Sequence, residues 1–174
     1  RNQRDGAGEI WITDGTTDGT RRFDLKMGTT DVEYAYPISE WKGQFLFAVH
    51  EDFSKIGLWS LRSNPLEAHR VLSLNAYNDR VTIEQAGFSV HTDYILFSAT
   101  QGDNRSGLWR SDGTHEGTQQ VLRMYEAPSN FVRVGKYTFF QGLMEADGWE
   151  LWITDGSTNG TRLVADILQG PRSS

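Results

Sequence analysis

The sequence predicts an all-β fold: a β-propeller, or a segment of one, made of four-stranded antiparallel blades in about three and a half repeats. Three observations carry this. The 174 residues include 18 Gly and 12% aromatics, among them six Trp and nine Phe, which suits short strands and tight turns better than helices. A tryptophan-centred phrase occurs four times, at steps of 48, 50 and 43 residues, a spacing typical of propellers and solenoids. Between the phrases, runs such as QFLFAV and YILFSA are apolar at consecutive positions, as a sheet covered on both faces requires.

The four copies are EIWITDGTTDGTRRF from Glu9, GLWSLRSNPLEAHRV from Gly57, GLWRSDGTHEGTQQV from Gly107 and ELWITDGSTNGTRLV from Glu150. They define a half unit over 8–25 and full units over about 36–74, 86–124 and 129–167, within a single repeat domain, 1–174. The frame is strict inside each unit. Twelve residues after Trp11, Trp59, Trp109 and Trp152 stand Phe23, Val71, Val121 and Val164. Twelve before the last three stand Phe47, Phe97 and Phe140, and nine before those stand Ile38, Phe88 and Phe131. Only the stretches between units vary, at 15, 17 and 10 residues, so each unit is a rigid supersecondary module. In the last unit SNFVRV turns at Gly135 into KYTFFQG, a loop leads to WELWIT, and DGSTNGT turns into RLVADI. This is an antiparallel meander with Gly or Asp at nearly every reversal. A linear β-solenoid or sandwich array is the competing architecture.

The DGT stretch predicts a hairpin corner. Asp14, Asp112 and Asp155 accept from backbone N–H groups two residues on, and Gly15, Gly113 and Gly156 take the positive φ of such a turn. Thr16, Thr114 and Ser157 bond back to the loop, and Gly19, Gly117 and Gly160 permit the return into the next strand. Each Trp is expected to form an apolar plate between blades, its N–H tied to a carbonyl. The second copy keeps the frame and loses the turn. The functional alternative is Ca²⁺, because Asp14 with Asp18, Asp112 with Glu116, and Asp155 with Asn159 offer paired oxygens. Their spacing matches no EF-hand or nonapeptide loop, and turn capping alone accounts for them, so no metal or cofactor is expected.

ELWITDGSTNGT and GLWRSDGTHEGT, with FSA at Phe97 to Ala99 before the latter, resemble a bacterial family of extracellular or surface proteins with ELWxxDGTxxGT repeats. EIWITDGTTDGT differs at the aliphatic position, and GLWSLRSNPLEA departs at every turn residue. The resemblance covers all four units. It implies β-repeats and an extracellular or cell-surface location, and no activity. The phrase is also distantly similar to the Asp-box of sialidase-type propellers.

Composition removes several functions. A net charge of −6 and pI near 5.2 repel nucleic acid and anionic membranes. Without Cys there are no disulfides, thiolate metal sites or cysteine nucleophiles. No apolar run is long enough for a membrane span and no segment reads as a signal peptide, though the sequence begins at Arg1 and not at Met. His50, His69, His91 and His115 have no metal-ligand spacing, and no GxSxG, P-loop or dinucleotide motif is present, so no catalytic residue is nominated.

The remaining candidates are contacts for a ligand or partner. Glu51, Asp52, Asp103, Glu145 and Asp147 are expected in the loops between second and third strands, on one rim. Trp41 and Trp149 fall outside the Trp frame and are sugar-stacking or protein-contact anchors if exposed. Sequons at Asn104 and Asn159 matter only where the source glycosylates. Three and a half units cannot close a ring unaided, so the chain is either an excerpt of a longer array or is completed by a protein partner or second copy. Two such chains make seven blades. The expected function is a non-enzymatic structural or protein-binding module of an extracellular or cell-surface assembly, forming an oligomer. The alternative is a glycan-binding, lectin-like propeller, and behind it a glycoside hydrolase, which needs two carboxylates facing across a pocket.

Overall fold

The computed structural model describes residues 10–23, 34–52, 55–63, 66–75, 81–101, 105–144 and 148–165. These hold fourteen strands and no helix, arranged as one two-stranded and three four-stranded sheets in which each strand pairs antiparallel with its neighbours in sequence. The all-β, four-stranded repeat expected from the Trp frame is thus present. The chain divides into two compact units, Arg1–Leu74 and Asn75–Ser174, where a single repeat domain was expected.

In the first unit, β1 (Ile10–Ile12) and β2 (Arg21–Phe23) form the two-stranded sheet. β3 (Tyr34–Trp41), β4 (Gln44–Asp52), β5 (Lys55–Ser63) and β6 (Leu66–Asn75) form a meander in that order. β3 reverses into β4 through Lys42 and Gly43, with φ of 52° and 69°, the two left-handed residues that match a hairpin to strand twist. Leu46, Phe47, Ala48 and Val49 are all buried, which accounts for the unbroken apolar run of β4. Phe47, Val49, Trp59 and Leu61 make the core, with Ile12 and Phe23 packed against it, so the β1–β2 hairpin lies on one face of the meander.

The second unit holds two meanders. One is β7 (Val81–Val90), β8 (Ile95–Gln101), β9 (Arg105–Ser111) and β10 (Gln119–Met124). The other is β11 (Ser129–Val134), β12 (Tyr137–Met144), β13 (Gly148–Thr154) and β14 (Arg162–Ala165). The first gives Leu96, Leu108, Val121 and Met124, and the second Phe140 and Trp152, to one buried cluster. Gly142 lets them approach, since a Cβ there would lie 2.4 Å from Met124 Cε.

The residue frame is a ladder of rings. Phe88 stacks on Phe97 at 5.8 Å and Phe97 on Trp109 at 6.3 Å; Phe131, Phe140 and Trp152 repeat this at 5.5 and 6.4 Å. Val121 and Val164, twelve residues past each Trp, sit where the third and fourth strands slip register. That bulge turns them to the opposite face from the Trp, and Val121 enters the core there. One expectation fails: the buried indole N–H groups of Trp109 and Trp152 donate to no acceptor. Ring stacking fixes their orientation, and no carbonyl falls in line with the N–H.

Unlike β4, β12 alternates between buried and exposed positions. Phe140 and its even-numbered neighbours face β7–β10, while Tyr137 is exposed on the other side. Glu51 and Asp52 end β4, where Asp52 pairs with Lys55, so they continue a strand instead of standing in a loop as expected. Asp103, Glu145, Asp147 and the sequon at Asn104 lie outside the described residues.

Candidate functional site

The repeated phrase folds the same way three times. Asp14 Oδ1 accepts from the Thr16 backbone N–H at 2.9 Å and the Thr16 hydroxyl at 2.7 Å. Thr16 Oγ1 accepts from the Gly19 N–H at 2.9 Å, and Thr20 Oγ1 donates to the Thr16 carbonyl at 2.6 Å. Asp112, Thr114, Gly117 and Thr118 repeat this network, as do Asp155, Ser157, Gly160 and Thr161. Gly15, Gly113 and Gly156 take φ of 91°, 94° and 88°, the left-handed region that favours glycine. The second motif glycine is needed for another reason than strand return. A Cβ on Gly19, Gly117 or Gly160 would lie 1.9 to 2.0 Å from the turn carboxylate, so only glycine lets the loop close over it.

A pair of hydroxyls closes the corner, and these residues were not singled out from sequence. Thr13 and Thr20, Ser111 and Thr118, and Thr154 and Thr161 bond to each other at 2.7 Å across the strand ends. The first of each pair also accepts the N–H of the positive-φ glycine. The signal was in the alignment: the copy without Asp has Leu61 and Ala68 at these places, and both join the apolar core. An apolar pair there replaces the polar clasp.

These bonds hold the carboxylates ionised. The Thr16 hydroxyl, then its N–H, lowers the Asp14 pKa below the usual carboxylate range, and Ser157 does the same to Asp155. The first carboxylate oxygen of each turn is thus occupied by its own loop. Asp18, Glu116 and Asn159 are exposed, and among the described residues no three His, Cys, Asp or Glu gather into a metal-binding group.

In the second unit the Asp155 turn is docked on the preceding sheet. Tyr94, in the β7–β8 turn, donates its hydroxyl to the Asp155 carbonyl at 2.7 Å. Its ring lies under Gly156, where a Cβ would come within 2.7 Å. Arg110 stacks over Tyr94 at 4.2 Å and donates to the Gly156 carbonyl at 3.4 Å. Thr158 Oγ1 donates to the Val121 carbonyl at 3.2 Å.

Beside this lies a buried polar cluster. His91 stacks on Tyr94 at 4.4 Å, its Nε2 lies 2.8 Å from Thr138 Oγ1, and Ser89 Oγ lies 2.8 Å from the same hydroxyl. Burial, then Arg133 and Arg110, lowers the His91 pKa, and burial raises that of Tyr94. Arg133 ties the two sheets through the Val90 carbonyl at 2.8 Å.

Other candidates are placed apart. Trp41 is buried with Lys42 over its ring at 4.3 Å, so it extends the core instead of standing at a rim. Trp149 is half-buried within β13, opposite Leu143. His50 is half-buried in β4; His69 lies 3.4 Å from Glu67 on the surface, and His115 is exposed. No helix among the described residues is long and apolar enough to cross a membrane. No protein-family model matches the chain, and no curated protein matches its sequence.

Proposed function

We propose that the chain is a non-enzymatic structural and protein-binding module of ELWxxDGT-type repeats, a β-propeller segment in an extracellular or cell-surface assembly. One observation carries this reading: each repeated turn binds its own carboxylate and hydroxyls, and the docked one turns carbonyl oxygens to the next sheet. A site built for sugar or Ca²⁺ would leave carboxylate oxygens aimed outward as a group; here the phrase acts as a joint. Meanders packed face to face support the propeller, and the motif resemblance supports the location.

The test compares the wild type with Asp155→Ala and Tyr94→Phe in urea unfolding and on a glycan array. The reading predicts lower unfolding midpoints for both variants and no saturable glycan binding. Saturable binding that Asp155→Ala abolishes without loss of stability would overturn it.

A further inference from the structure

We propose that this chain associates head to tail, the β1–β2 hairpin of one copy docking on the outward face of β11–β14 of a second copy. This rests on reading the repeated phrase as a joint between sheets, and it names the joint's partner.

The second unit shows the completed joint. Its donor half is Trp152, buried with Leu96 and Leu108, and the Asp155 turn with Thr158. Its acceptor half is Tyr94, which bonds the Asp155 carbonyl, and Val121, whose carbonyl accepts from Thr158. By the repeat frame, the same residue types recur as separated halves. Trp11 stands at the place of Trp152, Asp14 at that of Asp155 and Thr17 at that of Thr158; Tyr137 stands at the place of Tyr94, Leu151 at that of Leu108 and Val164 at that of Val121. The remaining turn and sheet lack the pair, with His115 in place of Thr158 and Gln44 in place of Tyr94.

Both separated halves face solvent. Trp11 is 58% exposed where Trp152 is 8%, and a Cβ on Gly15 would meet nothing within 4 Å. Tyr137, Leu151 and Val164 are 37 to 41% exposed, although their counterparts Leu108 and Val121 are buried. Between Val132, Phe139, Gln141 and Leu151 lies a hollow of about 250 Å³. Phe139 and Leu151 hold the frame positions of Leu96 and Leu108, the residues that enclose Trp152 in the completed joint. Trp11 of the second copy therefore enters this hollow. Tyr137 Oη then donates to the Asp14 carbonyl, and Thr17 Oγ1 to the Val164 carbonyl. The hairpin arrives with its turn already formed, which reduces the ordering cost of docking. Because donor and acceptor are different surfaces, the contact is heterologous and extends until a ring closes or a filament grows.

The test is particle mass by sedimentation over a concentration series, for the 174-residue chain and two surface variants. Thr17→Arg blocks the donor and Leu151→Lys the acceptor. The wild type is expected to form multimers and each variant to remain a monomer. An equimolar mixture of the two variants should form dimers and stop there, because each pair retains a single intact joint. Tyr137→Phe keeps the fold and should weaken self-association about two- to tenfold, the loss of one hydrogen bond; it decides the matter if either charged variant fails to fold. A wild type monomeric at every concentration, whether through closure on itself or through need of a different partner, would overturn the proposal. So would assembly that none of these substitutions changes. Neither result touches the joint at Tyr94, whose own variants test the broader reading separately.

Discussion

The Asp14 and Asp155 turns share six internal hydrogen bonds, with lengths that agree to within 0.1 Å. Their surroundings differ. Gly156 is buried under Tyr94, whereas Gly15 is exposed and would meet nothing within 4 Å. The conformation of the turn is therefore written locally, by Asp, two glycines and three hydroxyls, and docking uses a shape that already exists. That is what a connector repeated along an array requires: it must be correct before it meets its neighbour.

The largest contrast is expected at the tryptophans. Trp152→Ala removes a buried plate and should lower the stability of the second unit by about 3–5 kcal/mol in urea unfolding, whereas Trp11→Ala in the monomer should cost about 0.5 kcal/mol or less. Equal losses would mean that the two hairpins are not in different environments. Next comes Gly160→Ala, whose Cβ would collide with Asp155 at 2.0 Å. It should cost about 1–3 kcal/mol and remove hydrogen-exchange protection of the Gly160 amide, and Gly19→Ala should do the same to its own turn. A tolerated alanine would show that the carboxylate need not lie under the loop.

Tyr94→Phe removes one hydrogen bond from the docked turn and should cost about 0.5–1.5 kcal/mol, while Tyr137→Phe should leave the monomer unchanged. The smallest effect is that of pH. His91 has a folded pKa lowered below 6.5, and Arg110, Arg133 and Tyr94 face it. Below 6.5 the unfolded chain binds more protons, so stability present above that value falls as pH drops towards the folded pKa. His91→Gln should flatten the pH dependence of the melting temperature in this window. The Asp155 contribution is lost only lower, as pH falls below the usual value of 3.8 towards its lowered folded pKa.

What could be read from the sequence follows from how local each feature is. The meander, the ring ladder at Phe97 and Trp109, and the positive φ at Gly15, Gly113 and Gly156 depend on residues at short, fixed separations, and all are present. Tyr94 and Arg110 were invisible because their partners lie 61 and 46 residues away, and a single sequence holds no trace of that pairing. The rationale for Gly160 was conformational in sequence and steric in structure, since the carboxylate beneath it is placed only once the turn folds. Trp41 read as an anchor because it breaks the Trp frame, yet a residue outside a repeat can still be core, and it is buried.

The most direct test of the joint is a double-mutant cycle between Asp155→Ala and Tyr94→Phe, measured by urea unfolding. Tyr94 binds the Asp155 main-chain carbonyl, which the Asp155 side chain holds in place only by folding the turn. Once Asp155→Ala has opened the turn, Tyr94→Phe should cost almost nothing more, giving a coupling of about 0.5–1.5 kcal/mol. Strictly additive losses would contradict the account, because the turn and its dock would then be independent and the repeated phrase would not be the joint between sheets.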